Sequence, residues 1–330
     1  MAKRLIYFLV VISIVAIFLV ALKMFIFPEK KENPPPVPKV TLRLKWINQV
    51  QFSGFYLARE QGLYKDNGLA VEIYPGGPDI SPIQLVMSGV NDFGITGADQ
   101  LILAREKGMP LVAVAVIYKS SPVAIGSLKE KGIVFPKDLE NKKVGLVYGR
   151  DEETIYRALL KKENVDSNEI EEAPVMAGIS QLSTGKIDAQ ILYEINEPIL
   201  LEQEGFNVNL IKPRDYGINF YADTLFTTEE MINNHPDVVK AFVAASIAGW
   251  EKALENPDEA VTATLKVNSS LDREHQTKFL ELSLPLINDG QIGFSEKERW
   301  DQMQEILLDQ NLLNNPINID QVFNNNFLLQ

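Results

Sequence analysis

The 330-residue sequence contains no cysteine and only two histidines. The first absence excludes disulfides, thiolate metal sites, iron–sulfur clusters and cysteine nucleophiles. The second leaves His235 and His275 far apart in helix-rich sequence, where each would need carboxylate partners to hold a metal. Both read as surface helix positions. Positive charge is also short, with 32 Lys and Arg against 44 Asp and Glu and a formal net charge of −12. The acidic residues are spread along the chain instead of forming a tail, which argues against a nucleic-acid partner and favours a neutral or cationic small ligand. Neither a phosphate-binding G-x-x-x-x-G-K-[ST], nor a G-x-S-x-G elbow, nor an H-E-x-x-H is present. The paired carboxylates Glu152 and Glu153 read as a solvated helix face. The residues call for binding without chemistry, and for no cofactor.

What is present begins with Lys3 and Arg4 ahead of an apolar run from Leu5 to Leu22, extended past Lys23 by Met24 to Phe27. A bilayer needs about 20 residues, and no small-x-small cleavage site is clear. Residues 1–27 are therefore expected to be an uncleaved signal anchor, a transmembrane helix with Lys3 and Arg4 on the cytoplasmic side. Residues 28–39 contain NPPPVP and read as a stiff, extended linker.

From Val40 to Trp46 apolar residues alternate with Thr41, Arg43 and Lys45, the pattern of a strand with one buried face. A helix over 54–61 closes on Gly62, and a second strand covers 70–74. Ser81 and Pro82 mark a helix start and Gly89 its end. Then come a short strand at 93–96, a helix over 98–107, and a strand at 111–118 that is apolar on both faces, as in the interior of a parallel sheet. The second half supplies strands at 143–147, 187–192 and 208–211, the last expected, with acidic and apolar helices between them. From Pro236 onward the pattern is helical. This tail has no sheet of its own to cover and is expected to pack on the first lobe. The expected organisation is α/β, with residues 40–120 and 220–330 as lobe 1 and residues 121–219 as lobe 2. Two crossings join them, near 119–126 and 213–222.

Two lobes with two crossings suggest hinge closure on a ligand. Candidate contacts are the residues just beyond strand ends, where ligands of α/β proteins settle. These are Trp46, Asn48, Gln51, Phe52 and Tyr56 after the first strand, then Thr96, Gly97 and Asp99 after the third. In the second lobe they are Tyr148, Gly149, Arg150 and Asp151, then Tyr193, Asn196 and Glu197. Structural roles compete with these. Trp46 keeps the inward phase of its strand, Asp99 suits a helix N-cap, Gly149 to Asp151 suit a turn, and Glu197 suits a helix N-terminus.

The blocks KWINQVQFSGFYLAREQGLYKDNGLAVEI, QLVMSGVNDFGITGADQLILAREKGMPLVAVAVI and GIVFPKDLENKKVGL, with the GW of AFVAASIAGWEKAL and the following NPDEAV, resemble a known family. They look like substrate-binding proteins of the thiamine-pyrimidine precursor type, relatives of the fungal pyrimidine synthase. The resemblance implies a type II periplasmic-binding-protein fold with two α/β lobes joined by two hinge crossings. It also implies an ABC permease and ATPase as partners. In pyrimidine-binding members an aromatic ring stacks on the heterocycle and a carboxylate pairs with its amino group. By position those roles fall to Trp46, Tyr193 and Glu197, with Asp99 and Tyr221 as additions. Residues 93–97 replace the synthase's cysteine-rich iron site, and residues 47–54 lack its histidine, which argues against synthase activity. The 49–56 and 75–78 segments differ from the Asn-rich turn of pyrimidine binders and leave a flavin open. The expectation is an extracytoplasmic solute-binding protein, membrane-tethered, that clamps a small heteroaromatic nutrient for ABC import. The alternatives are a binder of riboflavin or an aliphatic sulfonate, or a tethered sensing module for a signalling partner.

Overall fold

Among the residues described by the computed structural model, 6–9, 12–19, 37–176 and 178–328, ten strands form two five-stranded sheets. The strands are β1 (Lys39–Arg43), β2 (Ala70–Tyr74), β3 (Phe93–Thr96), β4 (Leu111–Val116), β5 (Val123–Leu128), β6 (Lys143–Leu146), β7 (Glu171–Pro174), β8 (Ala189–Tyr193), β9 (Val208–Ile211) and β10 (Thr224–Thr228). The first sheet runs β2-β1-β3-β10-β4 and the second β7-β6-β8-β5-β9. In each, four strands are parallel and one antiparallel strand enters from the other half of the chain. β10 runs against β3 and β4, and β5 runs against β8 and β9. The two exchanged strands create the two crossings, after β4 and after β9.

The alternation read in the first strand holds through Leu44. Val40, Leu42 and Leu44 are buried, and the Leu44 N–H still donates to the Tyr74 carbonyl at 2.9 Å. It fails at Lys45, which is buried instead of solvated. Three strands gave no readable signal. Those of β5 and of β10 up to Thr227 are buried on both faces, so no period of two appears. β7, with the sequence EEAP, is a partly exposed edge. The 208–211 strand is therefore not the last. β4 is wholly buried because antiparallel β10 covers one edge while C-terminal residues bridge to the other, Ala113 with Phe323 and Val116 with Gly293.

The C-terminal helices pack on the first sheet, as expected from a tail without strands to cover. The Pro236–Glu255 helix lies against the Ser53–Glu60 helix, with Trp250 edge-on to Phe55 at 5.7 Å. Their approach depends on two glycines. A Cβ on Gly249 would stand 2.3 Å from the Gly54 carbonyl oxygen, and one on Gly54 would stand 2.2 Å from the Trp250 ring.

Most of the expected anchor, residues 1–27, and most of the 28–39 linker lie outside the described residues. Residues 6–9 and 12–19 are helical and exposed. Among the described residues no helix is long and apolar enough to cross a membrane. Residues 38–330 form one compact unit, separate from residues 1–37.

Candidate ligand-binding site

The ends of β1 and β3 and the start of β10 meet the ends of β6 and β8 at one place. An antiparallel strand begins at the edge where its parallel neighbours finish, so Asp223, just ahead of β10, joins Lys45, just beyond β1. From the second sheet come Asp151, first residue of the Asp151–Lys162 helix, and Tyr193, last residue of β8. Lys45 Nζ donates to Asp151 Oδ1 and Oδ2 at 2.8 and 2.7 Å and to Tyr193 Oη at 2.7 Å. It also lies 3.6 Å from Asp223 Oδ1. All four groups are buried. Burial opposes the charge on Lys45, but Asp151 and Asp223 outweigh it and hold the ammonium above the ordinary lysine range. Burial likewise opposes charge on Asp151, and Lys45 keeps it below the usual carboxylate range.

One lysine cannot satisfy the carboxylates around it. Asp99 lies beneath the pair, fully buried, with Oδ2 accepting from Gln100 Nε2 at 2.7 Å. Burial and then the neighbouring Asp151 push its pKa up to about 7. Asp223, raised chiefly by burial, stands at about 6 although Gln51 Nε2 donates to its Oδ2 at 2.8 Å. The close approach requires Gly97, where a Cβ would come 2.6 Å from the Asp151 Cβ.

Arg150 makes a second connection between the sheets. Its Nη1 donates to the Lys45 carbonyl at 3.0 Å. Its Nη2 donates to the carbonyls of Gly77, Pro78 and Ile80, the last two at 3.1 and 3.2 Å. The guanidinium carbon sits 5.1 Å from the Trp46 ring centroid, a cation–π arrangement. Arg150 is thereby buried without a carboxylate partner, its charge spread over backbone carbonyls and an aromatic face.

Beside this clasp opens a slot lined by Trp46, Gln51, Glu152, Tyr193, Asn196 and Glu197, with Met176 at its mouth. The slot and its mouth enclose about 520 Å³. Both Glu197 oxygens are engaged, Oε2 accepting from the Tyr193 N–H and Oε1 from Asn196 Nδ2, each at 2.9 Å. Burial raises its pKa. Glu197 thus fixes the backbone at the end of β8 as well as facing the slot.

Of the residues picked from sequence, Trp46, Gln51, Tyr193, Asn196 and Glu197 line this slot. Thr96 and Gly149 line an adjoining cleft with Arg150 and Tyr148. Asp99 is not the helix N-cap, a position held by Gly97, but sits under the clasp. Phe52 is wholly buried in the core and does not reach the slot, nor does Tyr56, whose hydroxyl donates to Asn48 Oδ1 at 3.0 Å. Tyr221 lies at the second crossing, where its oxygen accepts the Glu296 N–H at 3.0 Å and its ring packs on Trp300 and Arg299. These contacts hold it outside the slot. His275 is not a surface residue: it is buried beside Phe279, its Nδ1 paired with Gln276 Nε2 at 2.9 Å, and burial lowers its pKa.

Sequence reading missed Lys45, Asp223 and Glu152 as site residues. Lys45 holds the polar phase of its strand and reads as solvated. Asp223 falls at the site only once β10 is known to be antiparallel. Glu152 shares a doublet with Glu153, but Glu153 turns back to the Gly149 N–H and Arg157 while Glu152 lines the slot.

A family model described as NMT1/THI5 like matches residues 49–260. The riboflavin-binding protein RibY of Chloroflexus aurantiacus is 28% identical over 309 residues, covering 89% of this chain and 87% of its own. The formylaminopyrimidine-binding protein of Halalkalibacterium halodurans is 28% identical over 294 residues, covering 86% and 89%. Among solved structures, the periplasmic aliphatic sulphonate binding protein SsuA of Escherichia coli superposes with a TM-score of 0.69 at 17% identity, covering 87% of this chain and 91% of its own. The two-sheet architecture is thus that of a periplasmic binding protein.

Proposed function

The chain belongs to the NMT1/THI5-like family, and from that premise we propose that it is an extracytoplasmic solute-binding protein that closes two lobes on a flat heteroaromatic nutrient. The nutrient is a thiamine pyrimidine precursor or a related ring, and the loaded protein delivers it to an ABC permease and its ATPase. The observation that carries this reading is the aromatic-walled slot beside the Lys45–Asp151 clasp, built from the strand ends of both sheets. Trp46 from the first sheet and Tyr193 from the second offer stacking surfaces, each worth about 0.5–1.5 kcal/mol beyond the area buried.

Residues 121–219 move as one lobe against 40–120 and 220–330, hinged at the two crossings. The N-terminal apolar segment, with its Pro-rich spacer, tethers the body to the outer face of the cell membrane. The ligand is bound and released without turnover.

Thermal-shift screening of the full-length protein with formylaminopyrimidine, riboflavin and an alkanesulfonate tests the ligand class. A rise in melting temperature with an aromatic probe is expected. A shift with the sulfonate alone, or with none of them, would defeat the reading.

A further inference from the structure

Four carboxyl groups converge on one ammonium where the two sheets meet. Asp99, in the Ala98–Glu106 helix, and Asp223, just ahead of β10, come from the first half of the clasp together with Lys45. Asp151 and Glu152, which open the Asp151–Lys162 helix, come from the second. Lys45 Nζ is engaged by Asp151 at 2.7 Å and lies 3.6 Å from Asp223 Oδ1. Asp99 Oδ1 is left buried with no hydrogen bond, and Asp223 Oδ1 with only that longer ion pair. Glu152 is hydrogen-bonded to Asp151, carboxyl to carboxyl. Two ionised carboxylates repel in such a contact, so it holds a proton.

The other charged and titratable groups around the cluster do not cancel its excess of acid. Arg150 gives its hydrogen bonds to the carbonyls of Lys45, Pro78 and Ile80, and its charge acts on Asp151. The Tyr193 hydroxyl is held well above its ordinary pKa by burial and the neighbouring carboxylates and stays neutral. Asp79 in the adjoining cleft and Glu197 in the slot wall bring no positive charge. Carboxylates that cannot be paired away from water are discharged by protonation.

We infer that closing the lobes takes up protons: the carboxyl cluster buried between them is a proton-binding site that fills as the ligand is enclosed, so capture tightens in acid and loosens in base. This rests on the proposed closure of two lobes and names what accompanies it. With the lobes apart, water reaches Asp99, Glu152 and Asp223, and each ionises near its ordinary value of about 4. In the closed body, burial and then Asp151 raise Asp99 to about 7 and Glu152 to about 8, and burial raises Asp223 to about 6. The closed form therefore binds more protons, and closure loses favour as pH rises through these values. Near neutral pH the difference is about 1–2 protons.

Calorimetric titration of the full-length protein with formylaminopyrimidine and with riboflavin, in phosphate and in Tris, counts these protons from the difference in apparent enthalpy between the buffers. An uptake of about 1–2 protons per ligand is expected near neutral pH, with affinity falling about 10-fold over the next pH unit upward. Glu152→Gln keeps a hydrogen bond to Asp151 without a titrating proton and should remove about one proton from the uptake, and Asp99→Asn about half of one. Melting curves confirm that both variants are folded. Saturable binding with equal enthalpy in the two buffers, or an uptake unchanged in both variants, overturns the proton coupling and leaves the ligand reading standing. No binding of either probe at any pH defeats both.

Discussion

Lys45 and Asp151 are 106 positions apart in sequence, yet the ammonium and the carboxylate meet at 2.7 Å with both side chains almost completely buried. One residue lies just beyond the first strand of one sheet and the other opens a helix over the second sheet, so this pair spans the cleft between them. Arg150, one position earlier, reinforces it by donating to the Lys45 carbonyl. The clasp holds the sheets at the separation that defines the slot.

Removing one member of a buried ion pair leaves the other charge uncompensated, at a cost of about 3–5 kcal/mol. Lys45→Met should therefore lower the melting temperature strongly in calorimetry, because Asp99, Asp151 and Asp223 then face one another without a cation. Asp151→Asn in the same background should recover part of the loss. A Lys45→Met protein as stable as wild type would mean that the clasp contributes nothing.

Acidity should favour the closed body. Burial and neighbouring carboxylates raise Asp99 to about 7 and burial raises Asp223 to about 6, above their ordinary values near 4. A group whose pKa is raised by folding stabilises most below its unfolded value and loses that contribution as pH rises through the folded one. Melting temperature should accordingly fall as pH goes from about 4 to 7 through these two groups. Asp99→Asn removes one of them, and should raise the melting temperature more at pH 8 than at pH 5. An equal effect at both would contradict the shift.

The helix pair beneath the site has no room to spare. Gly249→Val would set its Cβ against the Gly54 carbonyl oxygen and the Ala58 Cβ, at 2.3 and 2.6 Å. Overpacking of this kind costs about 1–3 kcal/mol. Urea unfolding should show that loss as a lower midpoint at unchanged slope, and an unchanged midpoint would show that the helices can separate.

Tyr221 offers a negative control. Its oxygen accepts the Glu296 N–H away from the slot, so Tyr221→Phe should bind any slot ligand within about 2-fold of wild type while losing about 0.5–1.5 kcal/mol of stability. A binding defect without a stability defect would place Tyr221 at the ligand after all.

The parts of the fold legible in sequence were those with one-sided burial or firm punctuation. β2 and β3 fall at the positions read for them, and the Pro82–Met87 helix follows the Ser81 cap and precedes Gly89. Buried-both-sides β5 and β10 carry no alternation and were unseen, and with β10 went the means of placing Asp223. For the site, position beyond a strand end brought Trp46, Tyr193 and Glu197 to one slot but could not separate them from Phe52 or Tyr221. That separation depends on tertiary direction: core packing takes Phe52, and the Glu296 backbone takes Tyr221. Lys45 was illegible for a related reason, since its charge belongs on a solvated face unless a carboxylate arrives from another sheet.

Intrinsic tryptophan fluorescence tests ligand stacking in the slot most directly. Trp250 and Trp300 are fully buried in the core, while Trp46 lines the slot, so a ring stacked there should quench Trp46 selectively. Titrating the full-length protein with formylaminopyrimidine should give a saturable quench that disappears in Trp46→Ala, with affinity in that variant reduced at least about 10-fold by lost stacking and burial. Saturable binding by calorimetry with no quench in wild type, or with unchanged affinity in Trp46→Ala, would contradict a site built on Trp46.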